Sequence, residues 1–537
     1  MSGIHEEKEV GIIVGEATSS EFFFASEREK YPPKWEYLIV DSQEVMDGEL
    51  RDVHVLAQVE RIVSASEALS TESDIDALRK IRAAGFQDVR TWGRARVLGY
   101  ISDMSPAILF PRRAIVPGRS VYVAAKEYLA GFYSYPEKES LHVGSLISRP
   151  DVPVYLSVSG FRRHLAIIAQ TGAGKSYCSG VLIEELLEKG ATVLVLDPHA
   201  DYVFLSQTPA QKRYDLYDKV TVFRNPASTG RYAEEEIHDL REYTMAFSDL
   251  GFDEICDVAG ISRKWVNIRQ ALEEALAGLA DRVQYGPRDL LEALEVASKD
   301  EEDKKRAARA ASAAKYAEGL ARLGVFGTTT TPVQDVLQPM HVSVLDLSGL
   351  TDISIDYIAS RLLKGVYDAV SSGEFPFPVF VFVEEAHKFI PPELEMYSSS
   401  IMKRISAEGR KFGVFLVLIS QRPSKVNPDS LSQCNSQIIM KLTNPKDQFA
   451  VSESSERMSQ DLLDDLPGLN PGEAIVVGEI TKAPVMVKVR PRKTREGGAD
   501  IDVVAALRGA MKASRVSSSL GDTSIEEVRE GDMRSEW

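Results

Sequence analysis

Residues 165–176 read LAIIAQTGAGKS: four apolar positions, a run of small and polar ones, then Gly-Lys-Ser. An apolar strand that breaks into such a loop builds a cradle for polyphosphate. Backbone N–H groups of the loop and the N-terminus of the following helix face the anion, and glycine lets that backbone approach closely. In this pattern Lys175 reaches the β- and γ-phosphates and the Ser176 hydroxyl sits on Mg²⁺. Thr171, Gly172, Ala173 and Gly174 of the loop, with Tyr177 after it, complete the expected nucleotide-binding set. One position departs from G-x-x-x-x-G-K-[ST], because Ala169 stands where the first glycine is usual. Alanine can follow a strand into a turn but does not relax to positive φ as freely. The helix-like YCSGVLIEELLEKG follows at 177–190, so strand, loop and helix come in the order a phosphate loop requires.

Such a loop needs a second strand that brings carboxylates to the metal and to the attacking water. PVFVFVEEAHKF, residues 378–389, supplies it with Glu384 and Glu385 at the end of an apolar run. Glu384 stands where most such ATPases have Asp and is expected to hold Mg²⁺ through water. Glu385 is the candidate general base. A third strand, GVFLVLIS, runs into Gln421, an amide that can sense the γ-phosphate or position water. Just upstream, AEGRKFG places Arg410 at a domain edge, where its rigid, permanently charged fork could reach a neighbouring subunit's γ-phosphate. DPHADY, residues 197–202, puts Asp197, His199 and Asp201 near the nucleotide edge. No partner cluster has ligand spacing, so a structural or supporting role is expected there.

Working outward, apolar runs alternate with helical patterns from Arg163 onward: TVLVLD, VSVLDLS, VFVFVEE, VFLVLIS, QIIMKL, AIVVGEI and VMVKVR. Continuous runs suit strands covered on both faces. The expectation is an α/β RecA-like core at 151–232 and 324–490, with a largely parallel sheet that turns antiparallel near its end. Residues 1–150 read as short β-branched or aromatic strands of a small β-barrel, broken by one helical stretch, DIDALRKIRAAG. Residues 233–323 read as an inserted helical subdomain, and 491–537 as a largely flexible C-terminal extension.

Composition narrows the function classes. Of 537 residues 44% are hydrophobic, enough for several cores. No run approaches the roughly 18 apolar residues of a membrane span. The start, MSGIHEEKEVGIIVG, lacks a signal peptide's basic and apolar regions. Three cysteines without a C-x-x-C pair fit a reducing cytoplasm. The net charge of −17 opposes a uniformly basic nucleic-acid-binding surface but allows a ring that is basic only in its channel.

FRRHLAIIAQTGAGKS, DPHADY, VFVEEAHKFI, ISAEGRKFGVFLVLISQRPSKVNPDSLSQCNSQIIMKL and PGEAIVVGEI together closely resemble the HerA ATPases of the HerA–FtsK superfamily, archaeal type. The resemblance spans roughly residues 8–490, more architecturally than by motif in the N-terminal part. It implies a homohexameric ring around double-stranded DNA, translocation driven by ATP and Mg²⁺, and action with a NurA-type nuclease in processing DNA ends for repair. It further implies that Lys175 and Ser176 hold phosphate and Mg²⁺, that Glu385 is the catalytic glutamate, and that Gln421 is the sensor. Arg410 becomes the trans-acting finger, with Arg163 a second arginine near the nucleotide. Lys403, Arg404 and Lys425 are candidates for contact with the DNA backbone. The alternative is a soluble ring ATPase of a secretion or conjugation system in the same superfamily.

Overall fold

The structure, a computed structural model, describes residues 5–498 except 70, 72, 86, 87, 103, 104, 231 and 456, together with 503, 504 and 506–511. Residues 512–537, where most of the expected flexible extension falls, lie outside the described residues.

The N-terminal strands alternate inward and outward. Phe22 and Phe24 of Glu21–Ser26 are buried, as are Ala95 and Val97 of Arg90–Ser102. Such period-two patterning buries one face of a sheet. Here the sheet closes on itself. Glu21–Ser26 pairs with His5–Ala17 on one side and Arg90–Ser102 on the other, with Ser120–Ala124, Tyr37–Met46 and Glu49–Ala65 completing the circuit. Phe22, Phe24, Leu38, Val40, Val55, Val59 and Val97 fill its interior.

The larger sheet has twelve strands. Eight run parallel, in the order Leu240–Glu242, Val220–Arg224, Val342–Asp346, Thr192–Asp197, Val379–Val383, Val414–Ser420, Leu165–Ile168 and Ser436–Met440. Glu473–Val477, Val485–Val489, Ser140–Leu146 and Pro153–Ser157 continue it antiparallel. Both faces are covered. Leu165 and Ile167 pack towards Leu182 and Leu186 of helix Lys175–Glu188, whereas Ala166 and Ile168 pack towards Ile358 of helix Asp352–Ser371 and Met402 of helix Tyr397–Phe412. Each leucine, isoleucine or methionine so buried contributes about 1.5–3 kcal/mol.

Three expected boundaries move. The first domain does not extend to 150, because Ser140–Leu146 hydrogen-bonds to Val485–Val489 in the larger sheet. A short alternating segment fits either sheet, and the free edge at 485–489 decides its place. The stretch 233–323 is not helical throughout, since Leu240–Glu242 extends the parallel sheet. Its four helices, Phe252–Val258, Val266–Ala277, Pro287–Ser298 and Lys304–Leu323, also do not enclose a core of their own. Leu272, Leu290, Ala313 and Leu320 belong to the same apolar cluster as Ile355 and Tyr357. The last of these helices starts where Asp303 accepts from the N–H groups of Lys305 and Arg306, and stops at Gly324, φ 67°.

Residues 490–495, at the start of the expected flexible extension, instead form a strap across helix Lys175–Glu188. Arg490 donates to Glu184 at 3.0 Å and to Glu185 at 2.8 Å, and Thr494 donates to Glu184 through both backbone N–H and hydroxyl. Glu184 and Glu185 are buried, so their charges require these partners. The Arg492 guanidinium lies so close over Gly180 that a Cβ there would meet it at 2.4 Å, so a larger residue would displace the guanidinium. Among the described residues no helix is long and apolar enough to cross a membrane.

Candidate active site

The phosphate loop follows strand Leu165–Ile168, and its backbone is held from both sides. The N–H of Ala169 donates to Ser420 O at 3.3 Å, and that of Gln170 donates to Lys441 O at 3.0 Å. Gly172 and Gly174 take φ 76° and 102°, the left-handed region that favours glycine, and Gly174 caps the helix beginning at Lys175. Ala169 is not among the residues of positive φ, and it is fully buried against the sheet. Its backbone therefore does not need glycine.

Lys175, Glu384 and Glu385 meet in one buried network. Lys175 Nζ donates to Glu384 Oε1 and, at 3.1 Å, to Glu385 Oε1. Gln421 Nε2 donates to Glu385 Oε1 at 2.6 Å, and Thr171 donates to the amide oxygen of Gln421. Loop, carboxylate and third strand are thus joined through one amide. His387 Nδ1 stands 3.1 Å from Glu385 Oε2 and 3.4 Å from Ser420 Oγ. Glu385 itself takes φ 52°, ψ 49° immediately after the strand. Such a left-handed non-glycine residue costs roughly 1–3 kcal/mol and persists where its surroundings hold it.

Electrostatics separates the two acids. Burial pushes the Glu384 carboxyl up, against the pull of Lys175. Burial also acts on Glu385, but His387 and Lys175 outweigh it and bring that carboxyl down to about 2. Burial disfavours the Lys175 ammonium, yet Glu384 and Glu385 hold its pKa above the ordinary lysine value.

Ser176 does not meet Glu384. Its hydroxyl donates to Asp201 Oδ2 at 2.8 Å, while Glu384 Oε2 accepts from Tyr202 OH at 3.0 Å. Asp197 organises this corner by accepting the N–H groups of His199, Asp201 and Tyr202. An oxygen pair such as Ser176 and Asp201 suits Mg²⁺, which keeps several waters and takes the rest of its shell from phosphate. Among the described residues no group of three His, Cys, Asp or Glu side chains forms a metal site by itself. Tyr177 faces the strap, its hydroxyl accepting from the N–H of Arg492 at 2.8 Å.

Arg163 and Arg410 lie elsewhere. Arg163 precedes strand Leu165–Ile168 and Arg410 precedes strand Val414–Ser420, whereas the phosphate loop and Gln421 follow those parallel strands. At about 3.3 Å per residue, the first strand spans roughly 13 Å and the second roughly 23 Å, beyond the reach of an arginine side chain. The two arginines instead line one cavity of about 350 Å³ with His164, Ser406, Ser432, Gln433 and Asn435. Arg163 pairs with Glu479 at 3.1 Å. His164 sits at φ 57°, ψ 162°, a region nearly confined to glycine. Its Nδ1 accepts from the N–H of Leu416 at 2.9 Å, so Nε2 carries the proton and donates to Ser406 O at 3.1 Å. Burial brings the ring's pKa down to about 4, which keeps it neutral.

Two of the three suggested DNA contacts have other partners. Lys403 pairs with Glu395 at 3.2 Å, and Arg404 stacks on Tyr367 with its guanidinium 4.5 Å from the ring centroid. Lys425 is exposed. Tyr202, His164 and Ser406 belong to no motif that gives them a task in the sequence. Only the density of polar residues in DPHADY and the arginines beside FRRH and ISAEGR mark those stretches.

A buried parallel sheet, a glycine loop capping a helix and a lysine–glutamate network at the strand ends define a phosphate-loop ATPase. Residues 141–366 match the profile of the family described as "Helicase HerA, central domain". The "Probable helicase MJ1565" of Methanocaldococcus jannaschii is 30% identical over 518 residues, covering 92% of this chain and 93% of the relative. The "DNA double-strand break repair helicase HerA" of Pyrococcus furiosus is 29% identical over 561 residues, covering 92% and 94%. Among solved structures, the bacterial conjugative coupling protein TrwBdeltaN70 is similar at TM-score 0.47 and 14% identity, covering 70% of this chain and 94% of that one. The chain belongs to the HerA helicase family and is an ATP hydrolase.

Proposed function

We propose that this chain is the subunit of a homohexameric ring that moves along double-stranded DNA by ATP hydrolysis. In that reading it acts with a NurA-type nuclease on DNA ends during recombinational repair, in the cytoplasm. The relatives named as DNA double-strand break repair helicases support the substrate. One observation carries the assembly: Arg163 and Arg410 share a cavity on the sheet end opposite Lys175, so one chain cannot complete its own site. A neighbour in a ring can. We assign the closed N-terminal sheet to the small-barrel domain and the helices between 252 and 323 to the helical insertion.

The residue roles follow from the network. Thr171 to Gly174 and the first turn of the helix, Lys175 to Tyr177, cradle the nucleotide phosphates. Ser176 would hold Mg²⁺ with Asp201, and with Glu384 acting from farther out; the ion neutralises charge developing on the phosphates. Lys175 leaves Glu384 and Glu385 to meet the phosphates. Glu385 then loses a cation and becomes a better base for the proton of the attacking water. Gln421, bonded to both Glu385 and Thr171, reports the state of the loop to the base. Arg410, with Arg163, stabilises the transferring phosphoryl group of the next subunit.

The test is ATP turnover with and without linear duplex DNA at low and raised salt. Stimulation that falls steeply with salt is expected, because contacts to the DNA backbone displace counterions. Turnover that ignores duplex at low salt, with and without a nuclease of this type, would end the translocase reading.

A further inference from the structure

Helix Tyr397–Phe412 carries a hydroxyl for which the roles above have no task. Ser406 lies in the interior of that helix, lines the cavity of Arg163 and Arg410, and is 6% exposed. Its Oγ is itself buried and has no hydrogen-bond partner among the described residues, so it reaches into the cavity by rotation about χ1. A serine inside a helix ordinarily returns its hydroxyl to the carbonyl four residues earlier, here that of Met402, and this one does not. A buried hydroxyl left unpaired is costly, so its presence needs a partner.

The surroundings say what kind. Arg163 and Arg410 bring two permanent charges, the first already paired with Glu479 at 3.1 Å, Gln433 and Asn435 bring amides, and among the described residues no carboxylate lines the cavity itself. His164 donates to the backbone carbonyl of Ser406 itself and accepts from Leu416, so it ties this turn of the helix to the neighbouring strand. The cavity is therefore preformed, cationic and rich in donors, which fits an anion that presents several oxygens.

We propose that Ser406 Oγ donates a hydrogen bond to a phosphoryl oxygen of the nucleotide held by the adjacent subunit, as a third donor beside Arg410 and Arg163. This rests on the reading that the cavity faces a neighbour's nucleotide. A hydrogen bond to a charged acceptor of this kind corresponds to about 10–100-fold in turnover when it forms mainly in the transition state.

The experiment uses full-length rings. Ser406→Ala is expected to lower kcat about 10-fold with little change in KM for ATP. Coexpression of Ser406→Ala with Lys175→Ala subunits should restore part of the activity, because mixed rings rebuild interfaces where an intact loop meets an intact cavity. The pair Arg410→Ala and Lys175→Ala is run beside it. Recovery in that pair but not with Ser406→Ala would overturn the role of Ser406 and leave the trans arginine standing. Recovery in neither would remove the shared-site reading and the proposal with it. Ser406→Cys keeps the volume and weakens the donor, so it should match Ser406→Ala; wild-type turnover in it would assign the effect to packing and overturn the proposal.

Discussion

The two ends of the parallel sheet differ in how completely their polar groups are paired. At the strand C-termini Lys175, Glu384, Glu385, Gln421, Thr171, Ser176, Asp201 and Tyr202 bond to one another. At the N-termini the cavity of Arg163 and Arg410 is lined, among the described residues, by Ser406 with its unpartnered hydroxyl and by no carboxylate. The first end is closed by internal ion pairs that a nucleotide must displace, and the second is rich in donors, with Glu479 pairing Arg163 at its side. Neither end is a whole site, but each supplies what the other lacks. In the proposed ring, a loop that binds phosphate and an arginine pair on the neighbour would form one site where two chains stand side by side.

The largest effects should come from breaking each end separately. Lys175→Ala removes the cation that leads the phosphates, and hydrolysis should fall below detection. Arg410→Ala should lower kcat by about 10³-fold while nucleotide binding survives, as expected of a trans-acting arginine. Binding lost together with turnover in Arg410→Ala would place that arginine at its own subunit's nucleotide and undo the contrast between the ends. Glu385→Gln comes next, with kcat down about 10²–10⁴-fold and ATP retained on the ring. Rapid turnover by that variant, measured as phosphate release, would take the base role from Glu385.

Acid should separate the ends further. Burial keeps His164 and His341 near a pKa of about 4, whereas unfolded histidine titrates near 6.5. Between those values the unfolded chain binds more protons, so stability is full at neutral pH and is lost as pH falls through that window. For His164 the loss across the window is roughly 3 kcal/mol. Protonation would also remove the acceptor that Leu416 uses and set a third positive charge beside Arg410, so the cavity end should loosen first. Glu385, near 2, stays ionised throughout. Urea unfolding at pH 7 and pH 5 checks this, and equal midpoints at the two values would contradict it. The smallest effect concerns Ala169. Ala169→Gly should leave kcat unchanged and cost about 1 kcal/mol of stability, because glycine adds unfolded-chain freedom at a position that does not need it.

What could be read from the sequence was what is local in the chain. The loop at 169–176 and the apolar strands announce themselves within a dozen residues, and continuous apolar runs are visible wherever a strand is covered on both faces. Residues joined across the sheet were harder. Nothing in FRRH or ISAEGR states that Arg163 and Arg410, 247 positions apart in the chain, line one cavity. His164 gives no sign of its backbone at φ 57°, ψ 162°, since histidine's modest enrichment at positive φ lies mostly in a different region. Ser140–Leu146 reads as a strand but not as a strand of the larger sheet, because an edge is completed by hydrogen bonds that any alternating segment can make. Asp201 reads in the sequence as one acid in a polar run. Its contact with Ser176 appears only when two loops meet at the strand ends.

The strap at 490–495 has a consequence for how the chain is made. A ribosome delivers Arg490 306 residues after Glu184, the acid it neutralises. Until then Glu184 and Glu185 have no arginine from the strap, and docking their helix against the sheet would bury carboxylates at a cost of several kcal/mol. The helix behind the phosphate loop therefore waits for nearly the whole ATPase to be synthesised before it can seat. A nascent chain halted short of residue 490 should carry the loop's sequence without a loop able to hold ATP, and ATP retained by such stalled chains would disprove it.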